Sequence, residues 1–181
     1  MRKLVLQMQV SLDGFVGLPD GGLDWVFPNL DAEYEEWGVD ALWQAGVHLM
    51  GGMTGRDMVA HWPTSDEPYA PPMNEIPKVI FSRTLEDVDW AGARVERGDL
   101  VEEVNRLKSE PGKEILAHGG SRFAQALSQH GLIDEYRLII HPVALGHGLP
   151  LFPERPEPLN LNLVESRTFG TGVAVHVYQR R

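Results

Sequence analysis

An apolar run that ends at two glycines and passes at once into a helical pattern is the feature that most constrains the fold. Residues 115–118 form the run, Gly119 and Gly120 end it, and a helix is predicted over 122–130. Because glycine has no Cβ, another molecule can approach the backbone closely, and the first amides of the helix favour an anion. The join predicts an α/β fold and a candidate phosphate site, although many α/β proteins contain such joins without one.

Strands and helices alternate along most of the chain. Strands are predicted over residues 4–10, 47–50, 78–81, 93–97, 115–118, 136–143, 159–168 and 173–179. Helices are predicted over residues 31–46, from Thr54 onward, over 99–110 and over 122–130, with a Pro-rich surface stretch over 61–77. Because the alternation gives way to a hairpin around residues 170–172, we expect a mostly parallel central sheet, helices on both faces and an antiparallel C-terminal hairpin.

Composition limits the class of protein. The chain has 181 residues, a net charge of −10 and no cysteine. We therefore expect one domain over residues 1–181, and disulfides, thiolate zinc sites and a cysteine nucleophile are excluded. The charge disfavours nucleic acid as a general partner. His118, His141 and His147 lack the spacing of a metal motif, so no metal is expected.

The apolar runs are too short for a membrane span, which needs roughly 20 residues. The first strand, residues 4–10, is also too short and too polar for the core of a signal peptide. We therefore expect no membrane partner and a cytoplasmic location.

Three loops with glycine or polar residues follow predicted strands. They are Gly51-Gly52, Ser82-Arg83 and Gly119-Gly120. Ligands of parallel sheets bind beyond the carboxyl ends of the strands. Since all three loops fall at such ends, we expect them to converge on one ligand.

Motifs in a characteristic order resemble those of the dihydrofolate-reductase-like superfamily. They are Ser11-Leu12-Asp13-Gly14, Met50-Gly51-Gly52-Met53-Thr54, Phe81-Ser82-Arg83-Thr84, Gly119-Gly120-Ser121, Ile133-Asp134-Glu135-Tyr136 and the run from His141-Pro142 to Phe152. The most similar branch is the reductase domain of bacterial riboflavin-biosynthesis deaminase–reductases, with its stand-alone relatives. The resemblance covers essentially the whole chain.

The resemblance implies a reductase that takes hydride from NADPH and acts on a small heterocyclic substrate. Candidate substrates are the ribosylaminopyrimidine of riboflavin synthesis, a dihydropterin, or another imine or carbonyl. The implied cofactor-binding residues are Val10, Gly17, Gly51, Gly52, Met53, Thr54, Ser82, Arg83, Gly119, Gly120, Ser121 and Arg122. Arg83 would hold the 2′-phosphate, because a guanidinium pairs bidentately with phosphate oxygens. Thr54 would offer its hydroxyl and amide to phosphate.

The resemblance also implies a homodimer. The long strand and the C-terminal hairpin offer a sheet edge that needs protection from other chains.

Two positions depart from the family motif. Gly52 stands where an arginine is usual, and Gly55 where an aromatic residue is usual. Arg56 is a candidate substitute for the arginine, and the preference for NADPH over NADH stays open. Two alternatives also stay open, because a fold does not establish a chemistry: a non-catalytic nucleotide-binding or ligand-sensing protein, and a doubly wound domain without a nucleotide site.

The candidate catalytic residues are Asp13, Asp31 and Glu35. Asp13 and Gly14 either form a simple turn or contact substrate at the rim of the site. Asp31 and Glu35 begin the first helix, where dihydrofolate reductases carry a carboxylate that supports substrate protonation. A buried carboxylate there would have a raised pKa, whereas a solvated one would serve only the helix start. Trp25 either flanks the substrate or is a core or lid aromatic.

Overall fold

A computed structural model describes all 181 residues, and its central feature is an eight-stranded sheet. The strands are β1 (Leu4–Ser11), β2 (Ala45–Gly51), β3 (Lys78–Phe81), β4 (Ala93–Glu96), β5 (Glu114–Ala117), β6 (Glu135–His141), β7 (Leu161–Thr168) and β8 (Ala174–Arg180). Their spatial order is β4-β3-β2-β5-β1-β6-β8-β7. The first six strands pair in parallel, and β8 runs antiparallel to both β6 and β7. The predicted parallel sheet with an antiparallel C-terminal hairpin is confirmed.

Five α-helices cover the two faces of the sheet. They are α1 (Ala32–Trp43), α2 (Gly52–His61), α3 (Ala70–Glu75), α4 (Leu100–Ser109) and α5 (Ser121–Gln129), with short 3-10 turns at Phe27–Asn29 and Trp62–Thr64. Helices α1, α2 and α3 lie on one face, and α4 and α5 on the other. None of them is long and apolar enough to cross a membrane.

The alternation of side chains along β1 divides the core into two layers. Val5 packs with Leu116 in the cluster under α3, whereas Leu6 packs with Leu127 in the cluster under α4 and α5. Successive strand residues point to opposite faces, so a strand between two helical layers must be apolar on both sides. The exceptions, Gln7 and Gln9, are both half-buried on the face of α1 and α3.

The Pro-rich stretch over 61–77 is folded, so the prediction of a surface stretch is wrong for its second half. Residues Ala70–Glu75 form α3, in which Ala70, Pro72 and Met73 are buried. Proline fits the first turn of a helix because the amide hydrogen that it lacks has no intrahelical partner there. Proline therefore marks a helix start as readily as a surface loop, and burial decides between them.

Candidate functional site

Two helices begin at the carboxyl ends of adjacent strands without a side-chain cap. Helix α2 follows β2 with Gly51 at its N-cap, and α5 follows β5 with Gly120 at its N-cap; neither cap residue accepts a hydrogen bond through a side chain. Helices α1 and α4, in contrast, are capped by Asp31 and Asp99. The first amides of α2 and α5 therefore lack the carboxylate acceptor of the other two helices and can bind an anion.

A hydrogen bond joins these two helix starts. The hydroxyl of Thr54 in α2 donates to the carbonyl oxygen of Gly119 at 2.9 Å. Gly120 has a φ of +97°, and a Cβ at this position would lie 2.8 Å from Thr54 Oγ1. Only glycine allows both this conformation and this close approach. The Thr54 hydroxyl is thus engaged inside the protein, contrary to the expected phosphate contact, and its amide is what remains for a ligand.

Gly52 and Gly55 bring α2 close to the end of β3. A Cβ on residue 52 would lie 2.7 Å from Ser82 Oγ, and one on residue 55 would lie 2.6 Å from Ile80 Cγ2. Ser82 Oγ in turn accepts hydrogen bonds from two amides of the turn that follows β3. The two departures from the family motif are therefore packing features, since larger side chains would push the helix away.

Three arginines at the same edge of the sheet have no partner in the protein. Arg56 in α2, Arg83 after β3 and Arg122 in α5 are exposed and form neither a hydrogen bond nor an ion pair. Most other arginines donate to glutamates or to backbone carbonyls, as Arg106 and Arg97 do. An anionic ligand of a chain with net charge −10 needs such a local group of free cations.

The remaining predicted cofactor residues lie around these helix starts and the end of β1. Val10 is buried near the end of β1, and Met53 is exposed in the first turn of α2. Ser121 is the first residue of α5, and its hydroxyl donates to the carbonyl of Pro150. Gly17 pairs through its carbonyl oxygen with the amide of Leu149.

Asp13 holds two loops together, which differs from a catalytic role. Its carboxylate accepts hydrogen bonds from the Ser11 hydroxyl at 2.7 Å, the Leu145 amide at 3.0 Å and the Gly146 amide at 2.7 Å. These bonds lower the pKa of Asp13 to about 2, the Ser11 bond most. A carboxylate that stays ionised cannot donate a proton near neutral pH. Gly14, with a φ of +88°, completes the turn beside it.

The expected proton transfer requires a carboxylate that is buried in a cleft. Neither of the two carboxylates at the start of α1 meets this condition. Asp31 accepts a hydrogen bond from the amide of Tyr34 at 2.8 Å and so caps the helix. Glu35 is exposed. The α1 side chains that are buried in the core clusters with sheet residues include those of Tyr34 and Leu42, and neither is a carboxylate. Asp31 is the extended N-cap residue before the first turn, and Glu35 follows Tyr34 by one residue, which turns its side chain about 100° around the helix from the buried face.

A chain of polar side chains on the face of α1 lies outside the predicted set. Gln9 donates through Nε2 to the hydroxyl of Tyr34 at 2.8 Å, and its Oε1 lies 2.6 Å from Nε2 of His141. His141 is fully buried, and its Nδ1 has no partner. Trp25 packs edge-on against the imidazole, with 5.3 Å between ring centroids. Trp25 thus covers a buried polar group.

A pair of hydrogen-bonded imidazoles lies on the same face of the sheet. Nε2 of His118 is 2.8 Å from Nδ1 of His48, whose Nε2 is 3.3 Å from the carbonyl oxygen of Pro72. Burial lowers the pKa of His48 and of His141 to about 4, and that of His118 well below its ordinary value. All three imidazoles are therefore neutral near pH 7.

The signal for this polar face was present in the sequence. Gln7 and Gln9 alternate in an otherwise apolar strand, and His118 directly precedes Gly119. Buried polar groups require hydrogen-bond partners, so polar residues at every second position of a buried strand indicate a polar layer above it.

A cavity of about 430 Å³ lies elsewhere, at the amino ends of β2 and β3. Its lining includes Arg2, Arg94 and Arg106, each of which has a glutamate partner. These three arginines are therefore already engaged, and the cavity lies on the edge of the sheet opposite the glycine loops. No group of three or more His, Asp or Glu side chains is arranged to hold a metal ion.

The fold and this edge define the class of protein: an α/β protein in which two helices without side-chain caps begin at adjacent strand ends. The chain belongs to the family of the RibD C-terminal domain, whose model matches residues 2–175. It is 34% identical over 182 residues to the uncharacterized protein YyaP of Bacillus subtilis (strain 168), covering 98% of this chain and 94% of that one. It is 26% identical over 175 residues to YwjB of the same organism, with 97% of both chains covered.

Solved structures share the fold. A putative riboflavin biosynthesis protein from Shewanella sp. PV-4 superposes with a TM-score of 0.78 at 24% identity, covering 99% of both chains. A diaminohydroxyphosphoribosylaminopyrimidine deaminase/5-amino-6-(5-phosphoribosylamino)uracil reductase from Thermotoga maritima superposes with a TM-score of 0.69 at 15% identity. The match covers 99% of this chain and 57% of that longer protein.

Proposed function

We propose that this protein is an NADPH-dependent oxidoreductase that reduces a small heterocyclic substrate. The observation that carries the proposal is the pair of uncapped helix starts joined by the Thr54–Gly119 hydrogen bond. Membership of the RibD C-terminal domain family supports it.

The residues at this edge fit a dinucleotide phosphate. The first amides of α2 and α5 would hold the pyrophosphate, because both backbone donors and helix dipoles favour negative charge there. The unpaired guanidinium of Arg83 would bind the 2′-phosphate, with Arg56 and Arg122 adding positive charge. Val10, near the end of β1, would lie beside the nicotinamide. Bound NADPH supplies a hydride, and the protein supplies position and electrostatics.

The substrate side of the proposed site is the face of α1 and α3 beside the end of β1. Gln9, Tyr34 and His141 provide polar contacts there, and Trp25 provides an apolar cover. The hydrogen bonds of this group include no carboxylate, so water is the proton source that we propose for the reduced substrate. The name of the Thermotoga maritima protein makes a ribosylaminopyrimidine a candidate substrate, beside a pterin.

A titration tests the cofactor assignment. NADPH and NADH are added to the protein while the fluorescence of its five tryptophans is followed. Arg83→Ala should weaken NADPH binding roughly tenfold to hundredfold and leave NADH binding nearly unchanged, because a charge-assisted contact of about 1.5–3 kcal/mol is lost. Arg155→Ala is the matched control, since Arg155 is also an exposed arginine without a partner.

If Arg83→Ala and Arg155→Ala weaken NADPH binding equally, the loss comes from the change in net charge and not from a contact between Arg83 and the 2′-phosphate. Failure of both dinucleotides to bind would overturn the reductase proposal. Binding of NADPH without its oxidation by any screened heterocycle would favour the non-catalytic, ligand-sensing alternative.

A further inference from the structure

We infer that the cavity of about 430 Å³ at the amino ends of β2 and β3 binds a small organic oxyanion, a carboxylate or a phosphoester, through the guanidinium of Arg2. This cavity and the proposed cofactor edge lie at opposite ends of the parallel strands. The inference therefore does not depend on the proposed reductase function.

The first step is that Arg2 is the least completely paired of the three arginines at the cavity. Its side chain is only 7% exposed, and it makes a single hydrogen bond, from Nε to the carbonyl oxygen of Lys113 at 2.6 Å. The nearest carboxylate oxygen, on Glu110, lies 3.7 Å from Nη1, which is beyond hydrogen-bond distance. A guanidinium has five N–H donors, so the four on Nη1 and Nη2 have no acceptor in the protein. Burial of a charge without acceptors is costly, and an anion would supply them.

The second step is that the fold holds the Arg2 guanidinium in place at the cavity wall. The Arg2 amide donates to the carbonyl oxygen of Lys108 at 2.9 Å, and Nε is held by the carbonyl oxygen of Lys113, so the side chain is anchored at both ends. Neither Nη atom is sealed from solvent, and Arg2 lines the cavity. A guanidinium that is already fixed loses little conformational freedom when it binds an anion.

The third step is the room that Gly46 leaves beside the guanidinium. A Cβ at position 46 would lie 2.8 Å from Nη2 of Arg2. Gly46 also lines the cavity, and the register of β2 against β5 shifts between Ala45 and Val47. Strand irregularities of this kind are over-represented next to active sites. The cavity volume falls within the usual range of ligand pockets, roughly 300–1,000 Å³, so a ligand with a carbon skeleton fits.

The fourth step is the charge of the lining. The cavity is lined by four cationic residues and one acidic residue, namely Arg2, Lys78, Arg94, Arg106 and Glu110. Arg94 and Arg106 are both paired with Glu103. Lys78 donates only to two backbone carbonyl oxygens, and burial lowers its pKa to about 8, so it stays mostly protonated at pH 7 without a carboxylate partner. The local charge therefore favours an anion, although the whole chain carries a net charge of −10.

The carbonyl end of α4 lies in the same region but does not reverse this preference. The helix ends at Ser109, and Leu107 in its last turn lines the cavity. The carbonyl oxygens of Arg106, Leu107 and Lys108 already accept hydrogen bonds within the chain. A helix end carries about half of an elementary charge, which is less than the charge of one guanidinium.

Calorimetric titration of the unmodified protein tests the inference, with succinate and glycerol 3-phosphate as probes at constant ionic strength in chloride. We expect saturable binding of at least one probe at millimolar concentration. Binding of succinate alone assigns a carboxylate, binding of glycerol 3-phosphate alone assigns a phosphoester, and binding of both assigns their shared oxyanion chemistry. Absence of saturable binding for both would overturn the inference.

Arg2→Lys separates the shape of the guanidinium from its charge. Lysine keeps the positive charge but does not offer two parallel N–H donors, so we expect binding of the anion to weaken about tenfold. Arg155→Lys, at an exposed arginine without a partner, is the matched control and should bind like the unmodified protein. Equal affinity in Arg2→Lys and the control would contradict the inference.

Glu110→Gln tests the same contact in the opposite direction, and it keeps the inference testable if Arg2→Lys does not fold. The substitution removes the carboxylate that competes with the anion for Nη1 of Arg2, so we expect binding to tighten by up to about fivefold. Glu157→Gln makes the same change of charge at an exposed glutamate without a partner. Equal tightening in both variants, or no tightening in Glu110→Gln, would count against the inference.

Arg83→Ala separates this cavity from the proposed cofactor edge. Binding of the two anion probes should be unchanged in this variant. Loss of their binding would place them at the cofactor edge and overturn the inference. Because the NADPH titration reports on that edge and the anion titration on the cavity, each proposal can fail without the other.

Discussion

At the scale of single residues, Gly52 determines how closely α2 approaches β3. The Cβ that any other residue would add lies 2.7 Å from Ser82 Oγ and 2.8 Å from Ser82 Cβ. These atoms belong to a short side chain that is already held by the turn after β3. The serine cannot swing away without releasing two amides of that turn.

Gly52→Ala should therefore destabilise the protein by about 1–3 kcal/mol, the usual cost of overpacking. Ser82→Gly in the same chain should recover part of that loss, because it removes both contacting atoms. Urea unfolding of the single and double variants gives the coupling energy. Gly170→Ala, where the new Cβ meets nothing closer than 3.7 Å, should stay within about 0.5 kcal/mol of the unmodified protein. Strict additivity of the two substitutions would show that Gly52 and Ser82 do not compete for space.

Residue identity alone did not reveal the roles of the acidic side chains. Asp13 and Asp31 lie at chain positions where catalysis and turn formation both need a carboxylate. The partners of Asp13, two backbone amides about 130 residues further along the chain, decide in favour of loop attachment. Such partners are invisible to a local pattern.

At the scale of secondary-structure elements, α2 and the glycine loop before α5 behave as one unit through the Thr54–Gly119 hydrogen bond. The strand–glycine–helix joins themselves were predictable, because glycine and the change of apolar period are local signals. Helix α4 was also predictable from local signals. The Asp99 carboxylate accepts hydrogen bonds from two amides of its first turn, and the helix ends within one residue of the predicted boundary. Helix α3 was not predictable, because its prolines fit a loop equally well.

Thr54→Val should loosen this unit. The substitution keeps the shape of the side chain but removes the donor to the Gly119 carbonyl, so we expect a loss of stability of about 1 kcal/mol together with weaker NADPH binding. Calorimetry and the fluorescence titration measure the two effects. Thr64→Val is the matched control, since the Thr64 side chain is exposed and makes no hydrogen bond. Unchanged NADPH affinity in Thr54→Val would mean that the loop keeps its position without the bond.

At the scale of the whole molecule, buried neutral histidines link folding to pH. The pKa of His48 and of His141 is lowered by burial to about 4, and that of His118 is lowered well below its ordinary value. Unfolding returns each pKa to about 6.5, so the unfolded chain binds more protons between pH 6.5 and 4. The contribution of the buried neutral imidazoles to stability is complete above pH 6.5, and it is lost as the pH falls from 6.5 to 4.

The free energy of unfolding should fall by on the order of 2 kcal/mol for each of these histidines between pH 7 and pH 5. Urea unfolding at pH 7, 6 and 5 measures the slope. His141→Gln should give a smaller decrease because one titrating group is gone, whereas His130→Gln should follow the unmodified protein. A free energy of unfolding that does not change between pH 7 and pH 5 would contradict the burial of these histidines in their neutral form. Asp13, with a pKa of about 2, affects stability only at lower pH.

We also propose that two copies of the chain associate. Strand β7 is one of the two edges of the sheet, and its residues Leu163 and Val164 are 52% and 51% exposed. An open edge with apolar side chains is a surface that natural proteins cover, and a second copy would cover it symmetrically. Sedimentation at micromolar concentration should show twice the chain mass of 20.2 kDa, and Val164→Lys should shift the population to the single chain. A single species of one chain mass would refute the proposal.

The sequence by itself determined the architecture and the position of the glycine loops at the edge that we propose for the cofactor. Apolar period, glycine placement and helix caps act over a few residues, so they can be read from the chain directly. Only the tertiary structure brought together the polar side chains on the face of α1 and α3. Gln9 meets His141 across 132 residues and His118 meets His48 across 70, and burial, tautomer and charge all follow from those distant contacts. A local pattern carries no information about them, because desolvation and hydrogen bonding depend on which elements the sheet brings together.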